Sequence, residues 1–181
     1  MDHKGWHSRG YLPHFGSPET VQFVTFRLAD SLPRAVAGAI AARDDNLAAT
    51  DRELDRGRGA CWLREAPVAR VVEEALLHFD GDRYRLLSWC LMPNHVHAVV
   101  VPFDDHGIGQ IVHSWKSFSA KQANAILGRS GSFWHRDYFD RFIRDEAHLF
   151  RTIAYVESNP VKAGLAETAA VWPWSSARFR R

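Results

Sequence analysis

The spacing of hydrophobic and polar positions changes several times along this chain, and each change marks an element. Residues 21–28 (Val-Gln-Phe-Val-Thr-Phe-Arg-Leu) are dense in β-branched and aromatic side chains and read as a first strand. Asp30-Ser31-Leu32-Pro33 is a helix start, and the Ala-rich run that follows is predicted helical to about Arg56, where Gly57-Arg58-Gly59 breaks it. Pro67, at a favoured first-turn position, opens a second helix that ends near Phe79. Asp80-Gly81-Asp82 then turns into a strand over 84–91. The polar turn Met92-Pro93-Asn94 is so short that the next strand, 95–101, must return antiparallel. Ile108, Ile111, Val112, Trp115 and Phe118 fall on one stripe of a helix over about 108–127, with Lys116 and Lys121 off it. After the loop 128–132, residues 133–141 read as a fourth strand or extended segment. Asp145-Glu146 begins a last helix, predicted to end near Pro160, with acidic residues where the helix dipole favours them.

The resulting order is β-α-β-β-α-β followed by a helix, with one extra helix in the first crossover. That is an α+β fold of the ferredoxin-like, split-βαβ kind: an antiparallel sheet with an additional C-terminal helix. No repeat, linker or low-complexity stretch divides the chain. The expectation is one domain over 1–181, with an irregular arm over about 1–20 and a tail over about 166–181.

Composition narrows the class without naming it. The 181 residues, 46% hydrophobic and 24% charged, are ordinary for a globular protein with a real core. No apolar run approaches a membrane span, and the N-terminus lacks a secretory pattern, so the expected location is cytoplasmic. Cys61 and Cys90 lack the C-x-x-C spacing of a zinc ribbon and do not form a disulfide framework. Net charge is only +2, but residues 1–100 carry 12 Lys/Arg against 13 Asp/Glu and residues 101–181 carry 11 against 8. The basic excess thus lies in the second half, where a phosphate-binding patch would be useful.

Candidate chemistry concentrates in two places. His95 and His97, at i and i+2 in a strand, direct both imidazoles to one face, which is half of a divalent metal site. The competing reading is a pair of hydrogen-bonded structural histidines. On the last helix, Leu149, Ile153 and Val156 form the core stripe by 100° steps; Tyr155 lies off it, flanked by His148, Thr152 and Asn159. An amphipathic tyrosine at a helix edge is the plain alternative. Tyr138, in Trp134-His135-Arg136-Asp137-Tyr138-Phe139-Asp140, is a second phenol, better suited to a core or base-stacking role.

Three stretches together carry a resemblance. Leu91-Met92-Pro93-Asn94-His95-Val96-His97, the run from Phe133 to Arg141, and the run from Tyr155 to Gly164 with its Asn-Pro-Val-Lys-Ala-Gly are similar to the REP-associated tyrosine transposases. These are relatives of the single-strand insertion-sequence transposases within the HUH endonuclease superfamily. The matching pieces lie in order between about residues 20 and 177.

The resemblance implies a metal-dependent single-strand DNA endonuclease and strand transferase, with Tyr155 as nucleophile and His95 and His97 as metal ligands. Related transposases use a helix glutamine as third ligand. Asn159 takes that place here, a shorter amide whose contact would be direct, through water, or absent. Two imidazoles and an amide oxygen with open positions suit Mg²⁺ or Mn²⁺. The implied substrates are single-stranded or hairpin DNA of palindromic repeats, and the implied location is at the nucleoid. Insertion-sequence relatives act as dimers and REP-associated ones resemble monomers, so monomer and homodimer both stand; no protein partner is evident.

Arg136, Arg141 and Arg144 are candidate phosphate contacts, with Arg9, Arg129, Lys116 and Lys121 behind them. For the two helix lysines a solvated face is an equal reading. The tryptophans of Trp172-Pro173-Trp174 belong to packing before base stacking. Two rival functions remain: a non-catalytic nucleic-acid-binding module on the same fold, and a metal hydrolase of small phosphoesters, which the lack of an H-E-x-x-H or carboxylate-rich cluster disfavours.

Overall fold

The computed structural model describes residues 5–8, 13–16, 20–33, 36 and 46–180, and there the predicted order of elements holds. Strand β3 is Gln22–Arg27, followed by helices α1 (Asn46–Leu54) and α2 (Ala66–Leu77). The hairpin β4 (Tyr84–Leu91) and β5 (His95–Pro102) comes next, then α3 (Ile108–Ile126), β6 (Phe139–Phe142) and α4 (Glu146–Lys162). The main sheet has the order β4-β5-β3-β6, every neighbouring pair antiparallel. This is the split-βαβ arrangement that the order of elements predicts.

Four local expectations need correction. The arm expected to be irregular carries a two-stranded antiparallel ribbon, β1 (Gly5–Ser8) with β2 (Pro13–Gly16). Gly5-Trp6-His7-Ser8 and Pro13-His14-Phe15-Gly16 contain no β-branched residue and begin or end on Gly or Pro, so neither reads as a strand in sequence. The fourth strand covers only 139–142; the residues before it form an extended lead-in that touches the sheet at a single bridge, Leu28 with Trp134. Phe118 is 49% exposed, because Ser119 occupies the inward position of α3 and bonds the Trp115 carbonyl at 2.6 Å. Helix α4 continues two residues past Pro160, which costs it one backbone donor, and closes at Gly164, whose φ of +68° suits a residue without a Cβ. The first part of the predicted Ala-rich helix falls largely outside the described residues.

Alternation along the strands sorts the core into two faces. Val24, Phe26, Leu28, Val96, Ala98 and Val100 point to one side, where α2 and α3 cover them with Leu76, Val72, Ile111 and Trp115. Phe23, Cys90, Met92 and Val99 point to the other, against Val156, Leu149 and Ile153 of α4, the predicted core stripe. His95 and His97 lie on the same strand face as Val99, so both imidazoles open toward the α4 side.

The tail covers the outer edge of β4. Leu91 donates its backbone N–H to the Trp174 carbonyl at 2.8 Å, Cys90 and Ser175 form a bridge, and the Trp172 indole donates to the Leu91 carbonyl at 2.9 Å. The edge that would otherwise invite another chain is closed, and these tryptophans serve packing. Cys61 and Cys90 are both free and buried. Among the described residues, no helix is long and apolar enough to cross a membrane.

Candidate active site

The site begins with Asn94, the last residue of the hairpin turn. Its side-chain NH₂ donates to the carbonyls of Leu54 (3.1 Å) and Arg58 (3.0 Å), where α1 ends. Those two bonds fix the amide, so its Oδ1 faces His95 Nδ1 at 2.8 Å and can only accept. His95 therefore carries its proton on Nδ1 and presents a lone pair at Nε2. The loop between α1 and α2 is held equally closely at Gly59, whose φ is +83° and where a Cβ would come within 2.7 Å of the Asp30 carbonyl.

His97 is its counterpart. Nδ1 lies 2.8 Å from the Thr25 hydroxyl, which can either donate or accept, and Nε2 lies 3.1 Å from Nε2 of His95. Both rings are fully buried. Burial pushes the His97 imidazole down to about 3, with Lys162 adding to the effect, and lowers His95 further below its ordinary value, helped by His97. Neutral imidazoles are the form that binds metal.

The donor set fits a divalent ion. With Thr25 accepting from Nδ1, both Nε2 atoms present lone pairs, and their 3.1 Å separation matches adjacent ligands of an octahedral ion. Bonds of about 2.1 Å place such neighbours about 3 Å apart. Among the described residues, no group of three or more His, Cys, Asp or Glu forms a metal cluster. Asn159 is buried on α4, and its NH₂ donates back to the Tyr155 carbonyl at 2.9 Å. Its Oδ1 is the atom with ligand chemistry.

Tyr155 sits one turn before Asn159, half-buried and not on an outer flank. Its ring meets His97 edge-on at 5.8 Å between centroids and Phe23 at 6.1 Å, with the Lys162 ammonium 4.4 Å from its centre. The hydroxyl donates to Oδ2 of Asp51 on α1. Burial, the Asp51 charge and that hydrogen bond, and the charge of Asp55 push the phenol well above its ordinary value, against a smaller opposing effect of Asn159.

Asp51 is itself raised to about 6 by burial, which outweighs the Tyr155 hydrogen bond and Lys162. Asp55 is raised to about 6 by burial and by Asp51, against Lys162. Each keeps a buried Oδ1 without a hydrogen-bond partner.

A cleft of about 260 Å³ opens beside the phenol, lined by Asp51, Arg141, His148, Arg151, Thr152 and Tyr155 over a floor of Phe23 and Ile143. Arg141 reaches it from β6, opposite Phe23 in register, and Arg144 adjoins it, its N–H donating to His148 Nδ1 at 3.3 Å. The other predicted basic residues lie elsewhere. Lys116 is held inward, donating to the carbonyls of His135 (2.8 Å) and Arg136 (2.9 Å), and burial lowers it to about 8. Its charged surroundings are Asp137, the exposed Arg136, and Arg27, half-buried and lowered to about 10 by burial against the opposing effect of Asp137.

Lys121 is exposed on α3, and Arg129 lies near the Trp62 ring at 5.8 Å; both belong to the layer across the sheet from Tyr155. Arg9 lies outside the described residues. Tyr138 is buried in the α2/α3 cluster, also across the sheet.

Asp51 and Arg151 were not singled out from sequence. Arg151, four residues before Tyr155, was available from helical spacing. Asp51 lies 104 residues away on another helix, and no local pattern announces it.

Comparison with known proteins identifies the family. The family model described as "Transposase IS200 like" matches residues 67–159, a stretch that ends on Asn159 and contains both histidines and Tyr155. Over 103 residues the chain is 26% identical to a Haemophilus influenzae protein assigned by inference to the REP-associated tyrosine transposases, covering 51% of this chain and 58% of that one. Over 109 residues it is 23% identical to the REP-associated tyrosine transposase of Escherichia coli K12, covering 59% and 63%. The matches thus span about three-fifths of the length of these curated relatives. A solved structure of a REP-associated tyrosine transposase bound to a REP hairpin superposes with a TM-score of 0.61 over 92% of this chain and 81% of that one, at 17% identity, which establishes a shared fold. With just over half of its length matched by the family model, the chain belongs to the IS200-like transposase family.

Proposed function

We propose that this protein is a REP-associated tyrosine transposase: a metal-dependent endonuclease and strand transferase that cuts single-stranded, hairpin-forming repeat DNA through a 5′-phosphotyrosine. The observation that carries this reading is the meeting of Tyr155 with His97, whose Nε2 faces Nε2 of His95 at 3.1 Å. His95 and His97 would hold Mg²⁺ or Mn²⁺, with the Asn159 carbonyl oxygen as third donor. When bound there, such an ion would supply polarisation of the scissile phosphate and stabilisation of the charge that develops in displacement.

The chain's own residues do the rest. Arg141 and Arg151 line the cleft beside Tyr155 and bind phosphates of the strand entering it, with Arg144 at its margin. The Tyr155 hydroxyl attacks phosphorus, and the bond from phosphorus to the 3′-oxygen breaks. The covalent link retains the energy of the phosphodiester, so a 3′-hydroxyl can later displace the tyrosine and rejoin the strand without ATP. Support for a hairpin substrate comes from the relative of the same fold that was solved with a REP hairpin.

A labelled single-stranded hairpin oligonucleotide incubated with the protein and Mn²⁺ or Mg²⁺ tests the proposal. The expected products are a fragment with a free 3′-hydroxyl and a covalent protein–DNA band on a denaturing gel. Tight binding with intact DNA under every metal condition would identify a non-catalytic binding module instead.

A further inference from the structure

We infer that Asp51 is the general base of the reaction, taking the phenolic proton of Tyr155 during cleavage and returning it during strand transfer. The inference rests on the tyrosine-nuclease reading above and supplies the proton path which that reading leaves open. The geometric observation is direct: the Tyr155 hydroxyl donates to Oδ2 of Asp51, a residue 96% buried at 4% exposure. No water layer separates the reacting oxygen from the carboxylate.

Asp51 is held in place from the histidine side. The end of its helix is bonded at Leu54 to Asn94, the same amide that orients His95. One side chain therefore sets the positions of an imidazole and of the helix bearing the carboxylate.

The atoms balance. In the forward step the bond from Tyr155 Oη to phosphorus forms, the bond from phosphorus to the 3′-oxygen breaks, and the phenolic proton moves to Asp51 Oδ2. The departing 3′-oxygen takes a proton from water. In strand transfer a 3′-hydroxyl attacks phosphorus and releases its proton to water, while Asp51 returns its own to the leaving tyrosine. No net proton, electron or nucleotide energy is consumed.

A phenol with a strong hold on its proton and a weak carboxylate base cannot exchange the proton fully before attack. The transfer is concerted: the phenol becomes acidic as its oxygen bonds to phosphorus, and the carboxylate is already in hydrogen-bond contact. Burial holds Asp51 near 6, so it is mostly ionised at neutral pH yet tolerates the neutral acid form. The charged groups around it are Asp55 just past the end of α1, Lys162 on α4 with its ammonium over the Tyr155 ring, and Arg141, His148 and Arg151 along the cleft.

Asp51→Asn keeps the size and a hydrogen-bond acceptor but cannot take a proton. Single-turnover cleavage of a hairpin oligonucleotide should fall by about 100-fold or more, with hairpin affinity not weakened and melting temperature not lowered. The residual rate should climb with each unit of added alkalinity, whereas wild type levels off once Asp51 is ionised. Wild-type cleavage should also show a normal solvent deuterium isotope effect, a readout that stands even where the variant misfolds. An active wild type with no isotope effect, or an Asp51→Asn protein as fast as wild type or faster, would overturn the base assignment while leaving the nuclease reading intact. A wild type that forms no covalent adduct would overturn both.

Discussion

The two faces of the sheet are built on opposite logic. Toward α2 and α3, large side chains satisfy one another: the Trp115 indole donates to the Tyr84 hydroxyl at 2.8 Å, that hydroxyl donates to the Leu76 carbonyl at 2.7 Å, and the Trp134 indole donates to Ser119 at 2.9 Å. Phe26 packs edge-on against Trp134 at 4.8 Å and over Trp115 at 6.2 Å. Toward α1 and α4, the same strands present two buried imidazoles, and that layer also holds the half-buried phenol of α4 and the carboxylates of Asp51 and Asp55. The first face gains stability from complete burial. The second places ionisable and polar groups in its interior. The contrast predicts that substitutions on the two faces fail differently.

The largest effect is expected at the histidines. Replacing His95 and His97 together with Ala should abolish cleavage of a hairpin oligonucleotide while most hairpin binding survives, and chelation of wild type should mimic it. Undiminished cleavage in saturating chelator would remove the metal from the mechanism. On the opposite face, Phe26→Ala should cost about 3–5 kcal/mol in a denaturant melt, with the residual folded protein still able to cleave. A small change in stability there would mean that the face is less tightly packed than its contacts indicate.

Acid should also separate the contributors. His95 and His97 are lowered in the folded protein, so their contribution is full above pH 6.5 and is lost as pH falls below it, for His97 toward about 3. Asp51 and Asp55, raised to about 6 from 3.8, act with the opposite sign: folding favours their protonation, and stability rises as pH drops from about 6 to 3.8. The histidine shifts are the larger, so the metal-free wild type should lose stability between pH 7 and pH 5. The double His→Ala variant should gain it over the same interval. Urea melts at the two pH values check the sign.

The smallest effect concerns the DNA face. Arg141→Glu, in the cleft, should weaken hairpin binding roughly five- to tenfold and reduce the salt dependence of binding. Arg70→Glu, exposed on α2 across the sheet, should do neither. Equal losses would place the DNA on both faces.

These contrasts also explain what the sequence made legible. The order of elements and the β4–β5 hairpin followed from strand and helix patterning and a three-residue turn, because both are local. The histidine pair was visible for the same reason: a period of two places i and i+2 side by side whatever the rest of the chain does. Asn94 was visible only as a turn residue; its hold on Leu54, Arg58 and His95 depends on a helix end 40 residues earlier. Asp51 is the strongest case of the same limit, an ordinary acidic residue until tertiary packing sets it against a phenol. Lys116 shows the reverse, since a lysine off the apolar stripe looked available for phosphate and is instead committed to two carbonyls. Propensity also misplaced the end of α4, where Pro160 sits inside the helix and the glycine at 164 ends it.

The most direct test of the account is to identify the residue that becomes attached to DNA. Tyr155 and Tyr138 are both phenols, one against His97 and the other buried across the sheet, and replacing either with Phe removes a single oxygen. Wild type, Tyr155→Phe and Tyr138→Phe proteins would be incubated with a single-stranded hairpin and Mn²⁺, digested with trypsin, and analysed for nucleotide-bearing peptides. The account predicts nucleotide on the peptide containing Tyr155 in wild type and in Tyr138→Phe, and no adduct or cutting in Tyr155→Phe despite retained hairpin binding. Nucleotide on Tyr138, or full cutting by Tyr155→Phe, would contradict it.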